Sequence, residues 1–203
     1  MTALFINLKI DKQEKFELFK VTLSDIEKLF NECHIKIRGE LADECILFAK
    51  ELFFDRAKFY QELQETDWVA ASLLMIENVK SRSIFFYLED HRLITPQNNL
   101  SLVLKEFDEC QLDYLCYSFF RASRLATNNL LPLNTKHGRE LSQFILDKKN
   151  IELISKISPL YSTFSLACIC SVDYFKKLLH YENKKFKIYL RKLSTLLAII
   201  FSY

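Results

Sequence analysis

Glu89, Asp90 and His91 are the residues of this chain best suited to chemistry, because they follow directly on SIFFYL, an apolar run that reads as a buried strand. Three metal-competent side chains at the carboxyl end of a central strand make a ligand site, and the acidic tip suggests a divalent ion. The plainer reading of the triplet is a polar turn leaving a strand, with Asp90 opening the next helix. Other chemistries lack their motifs. Gly39 and Gly138 are the two glycines, so neither a G-x-G-x-x-G turn nor a P-loop can be built. No G-x-S-x-G elbow surrounds Ser165, and Cys168 and Cys170 alternate with Ala167 and Ile169 as strand packing does.

The elements that must carry the triplet alternate in the manner of an α/β fold. Ala3 to Ile10 reads as a strand, and Gln13 to Phe30 as a helix with Phe16, Phe19, Leu23, Ile26 and Phe30 on one stripe. Cys33 to Arg38 is a second strand, with His34 on its surface, and Gly39 permits a turn into a helix over Leu41 to Phe53. A weaker third strand covers Ala57 to Leu63. Asp67 caps a helix from Trp68 to about Val79, where Trp68 packs on the core, and Ser83 to Leu88 is the fourth strand. Pro96 stands near the start of a helix with Leu100, Val103, Leu104 and Phe107 inward, followed by a fifth strand at Asp113 to Phe120. Beyond it, turn residues from Asn128 to Gly138 precede a helix near Leu141 to Ile157, a strand at Ser162 to Cys170 and a helix at Val172 to Tyr181. The fold class is thus α/β: a mostly parallel central sheet with helices on both faces, and a mixed C-terminal segment.

Composition narrows the setting. Half of the 203 residues are hydrophobic, enough for one core. With 28 basic against 26 acidic side chains the net charge is +2, and no global field argues for nucleic acid. Six cysteines inside apolar patterns, none in a C-x-x-C pair, fit a reducing compartment. The opening MTALFINLKIDKQEK lacks the features of a signal peptide, and a cytoplasmic protein is expected. Near the end, Lys184, Lys185, Lys187, Arg191 and Lys192 interleave with apolar residues before Leu193 to Phe201. That tail suits either peripheral contact with an anionic membrane surface or a final helix packed on the domain.

With the elements placed, the chain resembles the nucleotide-sugar-dependent glycosyltransferases of the GT-A fold, particularly the family 2-like group. The likeness lies in the layout of residues 3 to 120, weakening toward Tyr181, and in the order DWVAASLLMIENV, SIFFYLEDH, then Pro96. The resemblance implies three parts: a nucleotide-sugar half over 1–120, an acceptor-side segment over 121–183 and a basic and apolar tail over 184–203. It implies that Glu89, Asp90 and His91 take the place of the Asp-x-Asp motif and hold Mn2+ or Mg2+ against the donor diphosphate, with Asp90 also binding the donor. The ligand pair is either Glu89 with His91, or Asp90 acting through water. Lys9, Asp11 and Arg38, at the mouths of the first two strands, would meet the base and ribose. Arg38, Gly39 and Glu40 stand where family members carry acidic residues and a Gly-Ser turn.

The partners implied are a nucleoside diphosphate sugar, a UDP-sugar foremost, and a glycan or lipid-linked acceptor in surface polysaccharide assembly. Asp173 is the carboxylate nearest to the place of the catalytic base, although a residue before a helix also suits N-capping. Arg121 and Arg124 could meet phosphate, and NTKHGRE, with His137, reads as a lid or as an exposed connector. A second reading, from a different class, is a non-catalytic binding or scaffold protein that keeps the sheet without a complete acceptor half. A third is an α/β nucleotide-binding enzyme of other chemistry.

Overall fold

The run ALFINL is apolar at every position but Asn7, and a strand of that kind needs cover on both faces. In the computed structural model, which describes residues 1–61, 67–87, 97–116, 136–146, 168–181 and 195–200, this run lies in β1 (Thr2–Lys9) at the heart of a nine-stranded sheet. β1 pairs in parallel with β2 (Cys33–Arg38) on one side and β4 (Ser83–Tyr87) on the other. The short β3 (Ala57–Phe59) adds to β2, also in parallel.

Past β4 the order continues through β8 (Cys168–Ser171), β5 (Tyr114–Cys116), β9 (Thr195–Ile200), β7 (Leu141–Leu146) and β6 (Lys136–His137). Antiparallel pairing places β7 and β8 against the common direction, and the other strands run together. The sheet is therefore mostly parallel.

Alternation along β1 divides the core in two. Leu4, Ile6 and Leu8 pack with Phe19, Leu23, Ala49, Phe53, Val103 and Phe107, which come from α1 (Gln13–Ile26), α2 (Ala42–Phe53) and α4 (Gln97–Glu109). Ala3 and Phe5 face the other way, toward Met75 and Ile76 of α3 (Trp68–Ile76) and Phe175 and Leu178 of α5 (Val172–Tyr181). Fully burying one such side chain stabilises the fold by about 1.5–3 kcal/mol. Asp67 caps α3, its Oδ1 accepting from the Ala70 amide at 2.8 Å. Trp68 packs on Phe86 and Phe175, in the core position expected of it.

Three expectations are corrected. Leu141–Leu146 is strand β7 and not the start of a helix, because β9 offers it an antiparallel partner along its whole length. A short apolar run has no strong preference of its own, and a distant strand decides it. Thr195–Ile200, the apolar part of the tail, is likewise a strand, bonded to β5 on one edge and β7 on the other.

His34 is the third. It is 3% exposed, stacked on the Tyr60 ring and bonded to Tyr60 and Glu32. Its Nδ1 lies 2.7 Å from the Tyr60 hydroxyl and its Nε2 2.8 Å from Glu32 Oε1. Burial pushes the Glu32 carboxyl up, but bonds from the Lys80 and Ser81 amides, the Ser81 hydroxyl and His34 outweigh it and bring it down to about 2. An ionised Glu32 requires Nε2 to carry the proton, so Nδ1 accepts from Tyr60.

Candidate functional site

Parallel strands of an open α/β sheet offer their carboxyl ends to ligands, and here those ends are the tips of β1, β2, β3 and β4. The crossing of the first two tips is closely built. Ile10 N donates to Arg38 O at 2.8 Å, and Leu41 N donates to Ile10 O at 3.2 Å. Gly39 makes this approach feasible with φ +105°, in the left-handed region, where any side chain would meet Ile10 O and the Asp11 carboxylate. Beyond the end of β3, the Gln61 side chain stands in for a strand: its Nε2 donates to Ile37 O at 2.8 Å and its Oε1 accepts from Ile37 N at 3.2 Å.

Lys9, Asp11 and Arg38 all belong to this edge, as the sequence implied. Lys9 lies opposite Arg38 in the β1–β2 register. Lys9 Nζ contacts Asp11 Oδ2 at 2.9 Å, and Asp11 Oδ1 accepts from Glu40 N at 3.3 Å. The Lys9 hydrogen bond above all, then the Glu40 amide, holds the Asp11 carboxyl below the usual range despite slight desolvation. Asp11 is thus an occupied acceptor. Arg38 is half-buried, and its Nε is enclosed without a hydrogen-bond acceptor among the described residues.

Asn7 and Lys36 join them from the same face of the sheet, since Asn7 pairs with Lys36 two positions before Lys9 pairs with Arg38. Each is 2% exposed. Asn7 Nδ2 donates to Trp68 O at 3.1 Å and to Ser72 Oγ at 2.8 Å, while the Trp68 indole returns a bond to Asn7 O at 3.1 Å. Its Oδ1 is buried without a donor among the described residues. Burial first, and then neighbouring Arg38, pulls the Lys36 ammonium below the usual lysine range. Sequence reasoning passed over both residues; a polar residue and a lysine inside otherwise apolar strand runs were the available signal.

The triplet Glu89, Asp90 and His91 lies outside the described residues, as do Arg121 and Arg124. The last described residue of β4, Tyr87, is opposite Ile6 of β1, so that strand ends on the same edge as Lys9 and Arg38. Among the described residues no group of three His, Cys, Asp or Glu side chains is placed to hold a metal ion. Asp11, already engaged by Lys9 and the Glu40 amide, does not change that, so the described residues do not by themselves fit a divalent cation.

Asp173 is placed elsewhere. Ser171 pairs with Ser83, the first residue of β4, so α5 begins at the amino edge of the parallel strands. Asp173 stands exposed in its first turn, and the capping bond is made by Ser171, whose Oγ accepts from Tyr174 N at 3.2 Å. The structure does not bring Asp173 together with Lys9, Asp11 and Arg38. The segment around Gly138 is a hairpin turn between β6 and β7, with Gly138 N donating to Leu141 O at 2.7 Å. Glu106 of α4 fixes it by accepting from Arg139 N at 3.1 Å and Glu140 N at 2.7 Å. A side chain at Gly138 would strike that carboxylate.

No family model matches the chain, and no curated protein matches it. Among solved structures, the crystal structure of S. aureus TarS 1-349 superposes with a TM-score of 0.57 at 10% identity, covering 98% of this chain and 58% of that one. The chain thus spans just over half the length of the structure it matches. At that identity the shared property is the fold, a GT-A-like α/β architecture that extends over nearly all of this chain.

Proposed function

We propose that the chain is a nucleotide-sugar glycosyltransferase of GT-A type, binding its donor at the carboxyl edge of β1, β2 and β4. The observation that carries this reading is the convergence of Lys9, Asp11 and Arg38 at that edge, on a fold similar to that of S. aureus TarS. In this reading Arg38 and Lys9 contact the donor, Asp11 orients Lys9, and Gly39 keeps the two strand tips close enough to share one ligand. Glu89, Asp90 and His91 are assigned to Mn2+ or Mg2+ on their chemical type and their place after β4. Such an ion would offset charge on the leaving diphosphate. The donor is a nucleoside diphosphate sugar, with UDP favoured, and the acceptor a glycan or lipid-linked sugar. Peripheral contact with a membrane belongs to the same reading, through the basic residues 184–192.

Asp173 supports a second reading. A base must reach the acceptor hydroxyl beside the donor, and Asp173 lies at the opposite edge. That placement favours a protein that binds a nucleotide sugar without transferring it.

Calorimetric titration with UDP, GDP and CMP, each with and without Mn2+, tests the assignment, with Asp90→Ala alongside. Metal-dependent binding of one nucleotide, lost in the variant while the melting temperature holds, is the expected result. Silence from the folded protein toward all three nucleotides overturns it. Binding without turnover of any sugar donor selects the second reading.

A further inference from the structure

The amino ends of the parallel strands, opposite the edge assigned to the donor, border a groove of about 700 Å³. That volume lies in the range of ligand-binding clefts. Its wall takes in Thr2 of β1, His34 of β2, Lys58 of β3 and Ser81 before β4, so it runs under four adjacent strands of the sheet. Three strand spacings separate the outer two, a length of about 14 Å. Leu29, from the turn after α1, and Leu104 of α4 add apolar surface.

The charges around the groove are unequally spent. Glu32 accepts four hydrogen bonds, from His34, the Lys80 and Ser81 amides and the Ser81 hydroxyl. Asp108 is held by the Met1 amine at 2.6 Å and the Ser83 hydroxyl at 3.1 Å. Arg56 is likewise consumed, by the Glu27 carboxylate and the carbonyl oxygens of Glu27, Phe30 and Leu52. Three lysines of the wall, Lys58, Lys80 and Lys105, are exposed. Among the described residues, the carboxylate contact these three make is that of Lys105 with Glu109 at 3.8 Å, while Lys58 Nζ rests on the neutral Asn78 side-chain oxygen. Exposed Asp55 is set against three cations, and the open face of the groove is positive.

One residue before Asp55, Phe54 is 77% exposed at φ +48° and ψ −120°. Glycine dominates that backbone region, and a bulky side chain is strained there. Folding gains nothing from an aromatic ring held in water by a strained backbone, whereas aromatic rings are frequent anchors of protein contacts.

We propose that this groove docks an extended acidic segment of a partner protein, with carboxylates on Lys58, Lys80 and Lys105 and an apolar side chain against Phe54. Four or five residues at about 3.3 Å each span it. A compact anion would meet one end of the lysine set, and Asp55 within it repels an unbroken run of phosphates. Each surface lysine contributes little alone, so the contact is reversible and weakened by salt. The proposal stands apart from the donor reading, since it uses the opposite edge of the sheet.

The test titrates the full chain, by fluorescence anisotropy, with a labelled octapeptide of alternating aspartate and leucine and with the same peptide carrying lysine for aspartate. Citrate serves as an unlabelled competitor. The acidic peptide is expected to bind at least about tenfold more tightly than the basic one and to weaken as salt rises. Lys80→Gln combined with Lys105→Gln, both at exposed positions, should lower its affinity about fivefold or more while the melting midpoint holds. Phe54→Gly should also weaken binding about fivefold or more, with the midpoint unchanged or higher because glycine relieves the backbone.

Equal affinity for the two peptides, or binding of neither, overturns the proposal. So does acidic-peptide binding that either the lysine changes or Phe54→Gly leaves intact. A lower midpoint in Phe54→Gly gives the ring a structural role and removes it as a contact. Displacement of the peptide by citrate at matching concentrations overturns the extended occupant and reassigns the groove to a small anion.

Discussion

Glu32 shows how much a single carboxylate can join. It accepts from the amides of Lys80 and Ser81, from the Ser81 hydroxyl and from His34, and so links the start of β2 to the loop before β4. Its folded pKa of about 2 lies below its ordinary 4.5, so the folded state binds fewer protons than the unfolded chain in that interval. The stability Glu32 contributes is present above pH 4.5 and is lost as pH falls toward 2, about 2–3 kcal/mol in all once partial exposure is allowed for. His34 acts in the same direction at higher pH: burial lowers its pKa below 6.5, and acid must charge it inside the fold. Glu32→Gln should therefore destabilise the protein by about 1–3 kcal/mol at pH 7 and flatten the acid limb of a urea midpoint against pH. An unchanged acid limb would show that the network does not couple to folding. None of this was legible beforehand, because His34 alternates with apolar neighbours just as a surface residue does. Tyr60, 26 residues away, is what buries it. The placement of Lys9, Asp11 and Arg38 at strand tips was legible, since strand ends can be located from pattern, whereas the burial of Asn7 and Lys36 exists only in three dimensions.

At the level of elements, α4 is tied to the β6–β7 hairpin by Glu106, which is 8% exposed and meets the Arg139 and Glu140 amides. Glu106→Ala strands both amides and is expected to cost about 1–3 kcal/mol locally. Hydrogen exchange at Arg139 and Glu140 should accelerate about tenfold or more while the β1 and β2 amides keep their protection. Uniform acceleration throughout the sheet would mean that the hairpin is part of the global unfolding unit and not a separately anchored piece. Elements β1 to α4 were readable from sequence because their apolar runs and stripes are long and regular, the stripe of Phe19, Leu23 and Ile26 announcing its own buried face. β7 and β9 were not, since each takes its identity from the other across some fifty residues, and Leu141, Phe144 and Ile145 by themselves carry helical i, i+3, i+4 spacing.

Considered whole, the sheet is stitched across its middle by strands from opposite ends of the sequence. β8 separates β4 from β5, and β9 separates β5 from β7, so the parallel block of β1 to β4 and the later strands share one continuous hydrogen-bonded surface. Deleting residues 195–203 removes one of the two partners of each of β5 and β7 and exposes two unpaired edges. The truncated chain should unfold at lower urea with a smaller m-value, or accumulate as oligomers on size-exclusion chromatography. A truncated monomer with the wild-type midpoint would show that β9 adds nothing to the cooperative unit. Among the described residues no helix is long and apolar enough to cross a membrane, which fits an apolar terminal stretch used as a strand.

The position of β9 also imposes an order on biosynthesis. β5 leaves the ribosome roughly 80 residues before its parallel neighbour is made, on the order of 4–16 s at usual elongation rates. During that interval β1 to β4 and their helices are already made and can assemble, while the flanks of β5 and β7 wait with their backbone groups open. A nascent chain of this design calls for a chaperone between the synthesis of β5 and that of β9, and a pause placed after β7 would prolong the hazard where one placed after α2 would not.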